Sequence, residues 1–134
     1  MSNMAETGLI IETLERAGTL CPDPGPRIYK RLFELRPEFA DLFVMDAGGE
    51  VRATMLETSL TCLIGIAEGD ETQAMQLAAN RSHHEGYGIA EDEFDIMFTA
   101  MRDVFRDLLG VAWTEAHEEA WHALLGEAAE VRHS

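Results

Sequence analysis

Positive charge is scarce in this sequence. Ten lysines and arginines stand against twenty-five aspartates and glutamates, a formal net charge of −15 over 134 residues. Such a surface repels nucleic acid and anionic membrane, and neither is an expected partner. Cysteine is scarcer still. Cys21 and Cys62 are too few and too far apart for a disulfide scaffold and lack the C-x-x-C spacing of a metal site, so reduced thiols in a cytoplasmic protein are expected. No apolar run approaches the ~20 residues of a membrane span. The first residues include Glu6 and Glu12 and no basic stretch ahead of a long apolar run, so no secretory leader is expected. Proline is confined to Pro22, Pro24, Pro26 and Pro37, and beyond Pro37 no ring interrupts a helix. Sustained apolar–polar alternation is missing throughout, which argues against a sheet.

What is present is helical. A chain of this length fits one domain over residues 1–134, able to bury roughly two-thirds of the surface its unfolded form exposes. The first helix is expected from about Thr7 to Ala17, with Leu9, Ile10, Thr13 and Leu14 on one face and Gly18 as its stop. A second runs from about Pro24 to Leu35, ending because Pro37 pushes Arg36 out of helical geometry. A short helix from Glu38 to Phe43 leads to a corner at Val44–Gly49. Glu50 to Ala67 follows, with Gly65 marking a close helix crossing. The segment from Thr72 to His84 is weakly apolar, so its docking must come from something other than its own stripe. Glu91 to Leu109 carries a broad stripe through Phe94, Phe98, Met101 and Phe105, and a last helix starts at a Thr114 cap and buries Trp121, Leu124 and Ala128. The expected fold is all-α, with about six main helices and one short one.

Chemistry gathers at Ser82-His83-His84-Glu85-Gly86-Tyr87-Gly88-Ile89. His84 falls in the last turn of the weakly apolar helix. Gly86 is expected to stop that helix in the left-handed conformation, which glycine adopts without a side-chain penalty. An imidazole there can give a ring nitrogen to a metal in an apolar slot. It can equally stay solvated, its cation complementing the helix dipole. His83 lies about 100° away around the helix and points elsewhere. His117 and His122 lack metal-ligand spacing and are expected at the surface or its boundary.

Tyr29-Lys30-Arg31-Leu32-Phe33, then Pro37-Glu38 and Leu42-Phe43, resemble the run from the second helix to the corner in the globins, in particular bacterial single-domain globins and the haem domain of flavohaemoglobins. His84-Glu85-Gly86-Tyr87-Gly88 resembles that family's proximal-histidine motif, and Trp121 matches a tryptophan common in that branch. The resemblance covers nearly the whole chain. It implies a globin-like fold of six to eight helices in a single domain, haem b (iron protoporphyrin IX) as cofactor, and dioxygen, nitric oxide or carbon monoxide as ligand. It gives the iron to His84 and packing against the porphyrin face to Phe43. Tyr29 goes to the ligand side, where a phenol stabilises the partial negative charge of bound dioxygen. On that reading Tyr29→Phe speeds dioxygen release about tenfold, equivalent to ~1.4 kcal/mol. Tyr87 and Phe94 complete the expected cofactor contacts, and a homodimer is compatible with such a fold.

The sequence departs from the family on the helix after the corner. Many members place a glutamine there to face the gas; here the matching position is Val51 in one register and Arg52 in the other. Met55 or Leu56 then gives the next contact. Val51 makes the pocket apolar, whereas Arg52 brings a cation that can reach a haem propionate or the ligand. Leu125 falls near a position where flavohaemoglobins carry a tyrosine coupled to the proximal histidine, which weakens any push toward oxygen activation. Three functions follow. The first, favoured, is a haem protein that reversibly binds dioxygen or a related gas for storage, transport or sensing. The second is a nitric oxide dioxygenase drawing electrons from a separate reductase, since these 134 residues hold no flavin or nicotinamide segment. The third is a haem-free globin fold used as a sensor or interaction module.

Overall fold

A computed structural model describes residues 4–86 and 88–131, apart from the side chains of Glu91 and Asp92. Six α-helices form: α1 (Met4–Leu20), α2 (Gly25–Leu35), α3 (Glu50–Glu68), α4 (Glu71–Glu85), α5 (Glu91–Leu109) and α6 (Glu115–Glu130). Two 3-10 segments, Pro37–Phe43 and Gly110–Ala112, join them, and no strand occurs among the described residues. No described helix is long and apolar enough to cross a membrane.

The breakers act largely as their chemistry dictates. Gly69 ends α3 at φ +77°, and the Asp70 side chain then caps α4 by accepting the Thr72 N–H at 2.9 Å. Two glycines behave otherwise. Gly18 was the expected stop of the first helix, yet α1 runs through it, and the Cys21 N–H still bonds to the Ala17 carbonyl at 2.8 Å. A single glycine costs a helix interior about 1 kcal/mol, which does not end it. Gly86 was expected to be left-handed, but it keeps right-handed helical angles (φ −60°, ψ −22°), and the turn to positive φ comes at Gly88 (φ +88°).

The core gathers Ile10, Ile28, Leu63, Leu77, Met101, Phe105, Trp121 and Leu124, all essentially inaccessible to solvent. α1 packs on α5 and α6, α2 on α5, and α3 on α4. Trp121 Nε1 donates to Thr13 Oγ1 at 3.1 Å, and that hydroxyl donates to the Leu9 carbonyl at 2.7 Å, so a polar bond seats α6 on α1. Trp113 lies beside Trp121 with ring centroids 6.3 Å apart. His117, expected near the surface, is only 4% exposed. It stacks on Trp113 at 5.7 Å and approaches the Glu12 carboxylate at 3.2 Å. Its place on the stripe of Ala120, Trp121 and Leu124 carries it inward, and with Glu12 beside Nε2 and the Thr114 N–H donating to Nδ1 at 3.1 Å both ring nitrogens are satisfied.

α2 is held to α5 by charge. The Asp103 side chain is 9% exposed and accepts from Arg31 of α2 at 3.0 Å and from Arg102 and Arg106 of α5 at 2.9 and 3.3 Å. At the α3–α4 crossing, Gly65 meets the expectation of a close approach, because a methyl group there would overlap Cβ and Cγ of Gln73. Cβ cannot swing aside without moving the α4 backbone. Overpacking typically costs 1–3 kcal/mol, and alanine recovers about 1 in helix propensity. Gly65→Ala is therefore expected to lower stability by up to about 2 kcal/mol, read as a reduced urea midpoint at unchanged slope.

Candidate functional site

An apolar cavity opens where α2, α3, α4, α5 and the Pro37–Phe43 segment meet. Its volume is about 210 Å³. Leu32, Phe39, Leu42 and Phe43 form one wall. Thr54, Met55, Thr58, Ser59 and Cys62 of α3 form a second, and Leu77, Asn80 and His84 of α4 a third. Ile89 and Glu93, Phe94, Met97 and Phe98 of α5 complete it.

Among the described residues His84 is the one imidazole on this lining. Its Nδ1 lies 2.8 Å from the Asn80 main-chain carbonyl. A carbonyl oxygen only accepts, so Nδ1 carries the proton and Nε2 holds the lone pair. A backbone acceptor on one ring nitrogen is the arrangement that fixes the tautomer and orientation of a metal-binding histidine. The Phe94 ring packs edge-on to the imidazole, with centroids 5.1 Å apart, and Phe98 follows at 6.0 Å from Phe94. His83, the neighbour in sequence, is exposed.

Of the residues singled out from sequence, the structure brings His84, Phe43, Met55 and Phe94 to the same cavity. Phe43 sits in an aromatic group with Tyr29 at 5.5 Å and Phe33 at 5.9 Å. Tyr29 does not line the cavity. It is 5% exposed, and its hydroxyl donates to the Arg52 carbonyl at 2.7 Å, pinning α2 to the first turn of α3. Burial pushes the phenol well above its ordinary pKa; the Arg52 guanidinium opposes that shift and the Asp46 carboxylate adds to it. Leu56 turns the other way, into the core at 8% exposure. Val51 is 54% exposed on the outer side of α3. Tyr87 lies outside the described residues.

Arg52 is committed to the corner. Its Nε and N–H reach the Asp46 carboxylate at 3.1 and 3.0 Å, its Nη2 reaches the Asp46 carbonyl at 2.9 Å, and the Val51 N–H adds a bond to the carboxylate at 3.1 Å. Partial desolvation works to raise the Asp46 pKa, but these donors outweigh it and hold the carboxyl below the usual range. The knot caps α3, whose preceding residue Gly49 supplies the left-handed turn at φ +76°.

Several lining residues escape a reading based on apolar stripes. Thr54, Thr58 and Cys62 recur every four residues on α3, a small and polar stripe beside the apolar one. Burial raises the Cys62 thiol pKa. Glu93 supplies a carboxylate to the lining, and its Oε1 accepts the Ala90 N–H at 3.0 Å. The acceptor for His84 is main-chain, so no side-chain letter could announce it. Among the described residues no lysine or arginine lines the cavity.

Fold and cavity together define an all-α protein that presents one oriented imidazole to an apolar space. Residues 26–131 match the family model described as Globin, and the chain belongs to the globin family. No curated protein matched the chain.

Proposed function

We propose that this globin holds haem through His84 and binds a diatomic gas on the side of the haem away from it. The observation that carries the reading is the pairing of His84 Nδ1 with the Asn80 carbonyl at the wall of an apolar cavity. The donor set suits the group: an imidazole whose Nδ1 is held by a carbonyl, aromatic rings at Phe43 and Phe94, and a mainly apolar lining. Bound haem supplies an iron with a coordination position open to gas. The chain's own residues hold the imidazole, exclude water and shape the gas-binding side, for which the lining supplies Met55 and the hydroxyl-bearing Thr58. With the Tyr29 hydroxyl engaged by Arg52, Tyr29→Phe is expected to leave dioxygen release within about twofold of wild type and to cost about 1 kcal/mol of stability for the lost bond. Stopped-flow release and urea unfolding measure the two effects, and a tenfold faster release would instead place the phenol on the ligand.

A second reading is favoured by one observation. Among the described residues Glu93 is the only carboxylate on the lining, and no lysine or arginine there balances it, so the described lining offers no lysine or arginine to the two propionates of haem. On that reading the cavity takes a small uncharged apolar molecule and the domain works without haem. Visible absorption of the purified chain titrated with hemin, then reduced and exposed to carbon monoxide, separates the two. A sharp Soret band that shifts with carbon monoxide at one equivalent supports haem; a spectrum identical to free hemin supports the second reading.

A further inference from the structure

We infer that Arg81 is a positioning residue for His84, locking the helix that bears the imidazole to α5 and to the last turn of α6. The inference rests on the haem reading above and extends it to residues behind the cavity lining. α4 has little apolar surface of its own: its buried residues are Leu77, Ala78 and Arg81. An arginine at 1% exposure therefore supplies much of what docks it.

The guanidinium is gripped from three sides. Nη1 and Nη2 donate to the two Asp95 carboxylate oxygens at 3.1 and 2.8 Å. Nη2 also donates to the Ala128 carbonyl at 2.9 Å, and Nε donates to the Val131 carbonyl at 2.9 Å. A planar fork bonded in these directions fixes both the rotation and the rise of α4, which a greasy contact would leave free to slide. Buried ion pairs are inefficient as stabilisers when apolar residues of similar volume fit the same space. Their distinctive contribution is register, and register is what an axial ligand needs.

The link to the imidazole is short. Arg81 precedes His84 by three residues, so the two side chains are neighbours on the helix surface. The Phe94 ring touches both: the Arg81 Cζ stands 4.7 Å from its centroid, and the His84 ring packs edge-on at 5.1 Å. Phe94 in turn adjoins Asp95 in sequence. A displacement of His84 would thus load the Arg81–Asp95 pair and, through it, the main-chain carbonyls of Ala128 and Val131.

The test uses the full chain reconstituted with hemin and reduced, with Asp95→Asn and Arg81→Lys as variants and Thr13→Ala as a control that loosens the α1–α6 contact without touching α4. The readout is the iron–histidine stretching band in the resonance Raman spectrum, alongside the melting temperature. Asp95→Asn and Arg81→Lys are expected to shift or broaden the band, while Thr13→Ala lowers the melting temperature and leaves the band in place. A wild-type band retained in both variants overturns the inference and leaves haem binding intact. A wild-type protein with no such band overturns haem ligation by His84 itself, and this inference with it. A second measurement needs no variant: hydrogen exchange at residues 126–131 of the wild-type haem protein is expected to change when carbon monoxide binds, and unchanged protection there overturns the link.

Discussion

Replacing His84 by alanine is expected to abolish stable haem retention. The substitution removes the only imidazole that the described residues bring to the cavity, and its bond to the Asn80 carbonyl. Loss of a hydrogen-bonding partner to a metal ligand already costs roughly 10–100-fold in affinity, so loss of the ligand itself should exceed 100-fold. The fold should tolerate the change, because His84 is half-exposed and its main-chain bonds are helical. The measurement is transfer of haem from the reconstituted variant to an excess of a tight haem scavenger, followed in the Soret band. His84→Ala should lose haem faster than wild type by that same factor, and added imidazole should restore a six- or five-coordinate spectrum by filling the vacated space. Wild-type retention with an unchanged spectrum would rule His84 out as the ligand.

The second large effect is on stability. Asp103→Ala should cost about 2 kcal/mol, less than the 3–5 kcal/mol for breaking a fully buried pair, because Arg31 and Arg106 reach water once released. Asp103 is 9% exposed and is the acceptor on which Arg31, Arg102 and Arg106 converge. Its loss leaves three guanidinium groups of like charge packed together, with Arg31 keeping Glu34 and Arg106 keeping Glu118, each at 3.3 Å, and Arg102 losing its carboxylate. A melting temperature lower by roughly 5–10 °C is expected from the usual entropy of unfolding for a chain of this size. Added salt should recover part of the loss in the variant by screening the repulsion between the released cations. A variant as stable as wild type would mean that the cluster is a solvated arrangement with no net contribution.

Much of the helical layout was legible in the order of the residues. α5 begins at Glu91 and ends at Leu109 as its apolar spacing requires, and the Thr114 cap of α6 binds the His117 N–H at 3.3 Å. Where the reading went astray, a tertiary partner decided the outcome. His117, expected near the surface, lies on the inward-facing stripe His117–Ala120–Trp121–Leu124, and Arg81, which the sequence did not single out, lies on Leu77–Ala78–Arg81; the acceptors of a polar letter on such a stripe decide its burial. The acceptors for Arg81 include main-chain carbonyls about 50 residues away along the chain, which leave no trace in local spacing. Likewise, the presence of Tyr29 beside the corner was visible, but the destination of its hydroxyl depended on where α3 brings the Arg52 carbonyl.

The paired indoles of Trp113 and Trp121 have a practical consequence. They are the two tryptophans of the chain, neither belongs to the cavity lining, and Trp121 is sealed from solvent. Their near-ultraviolet emission overlaps porphyrin absorption, so a chromophore seated anywhere in a domain this small would quench them by energy transfer while leaving their surroundings untouched. The molecule thus carries an intrinsic optical gauge of cofactor uptake, dark when loaded and bright when empty.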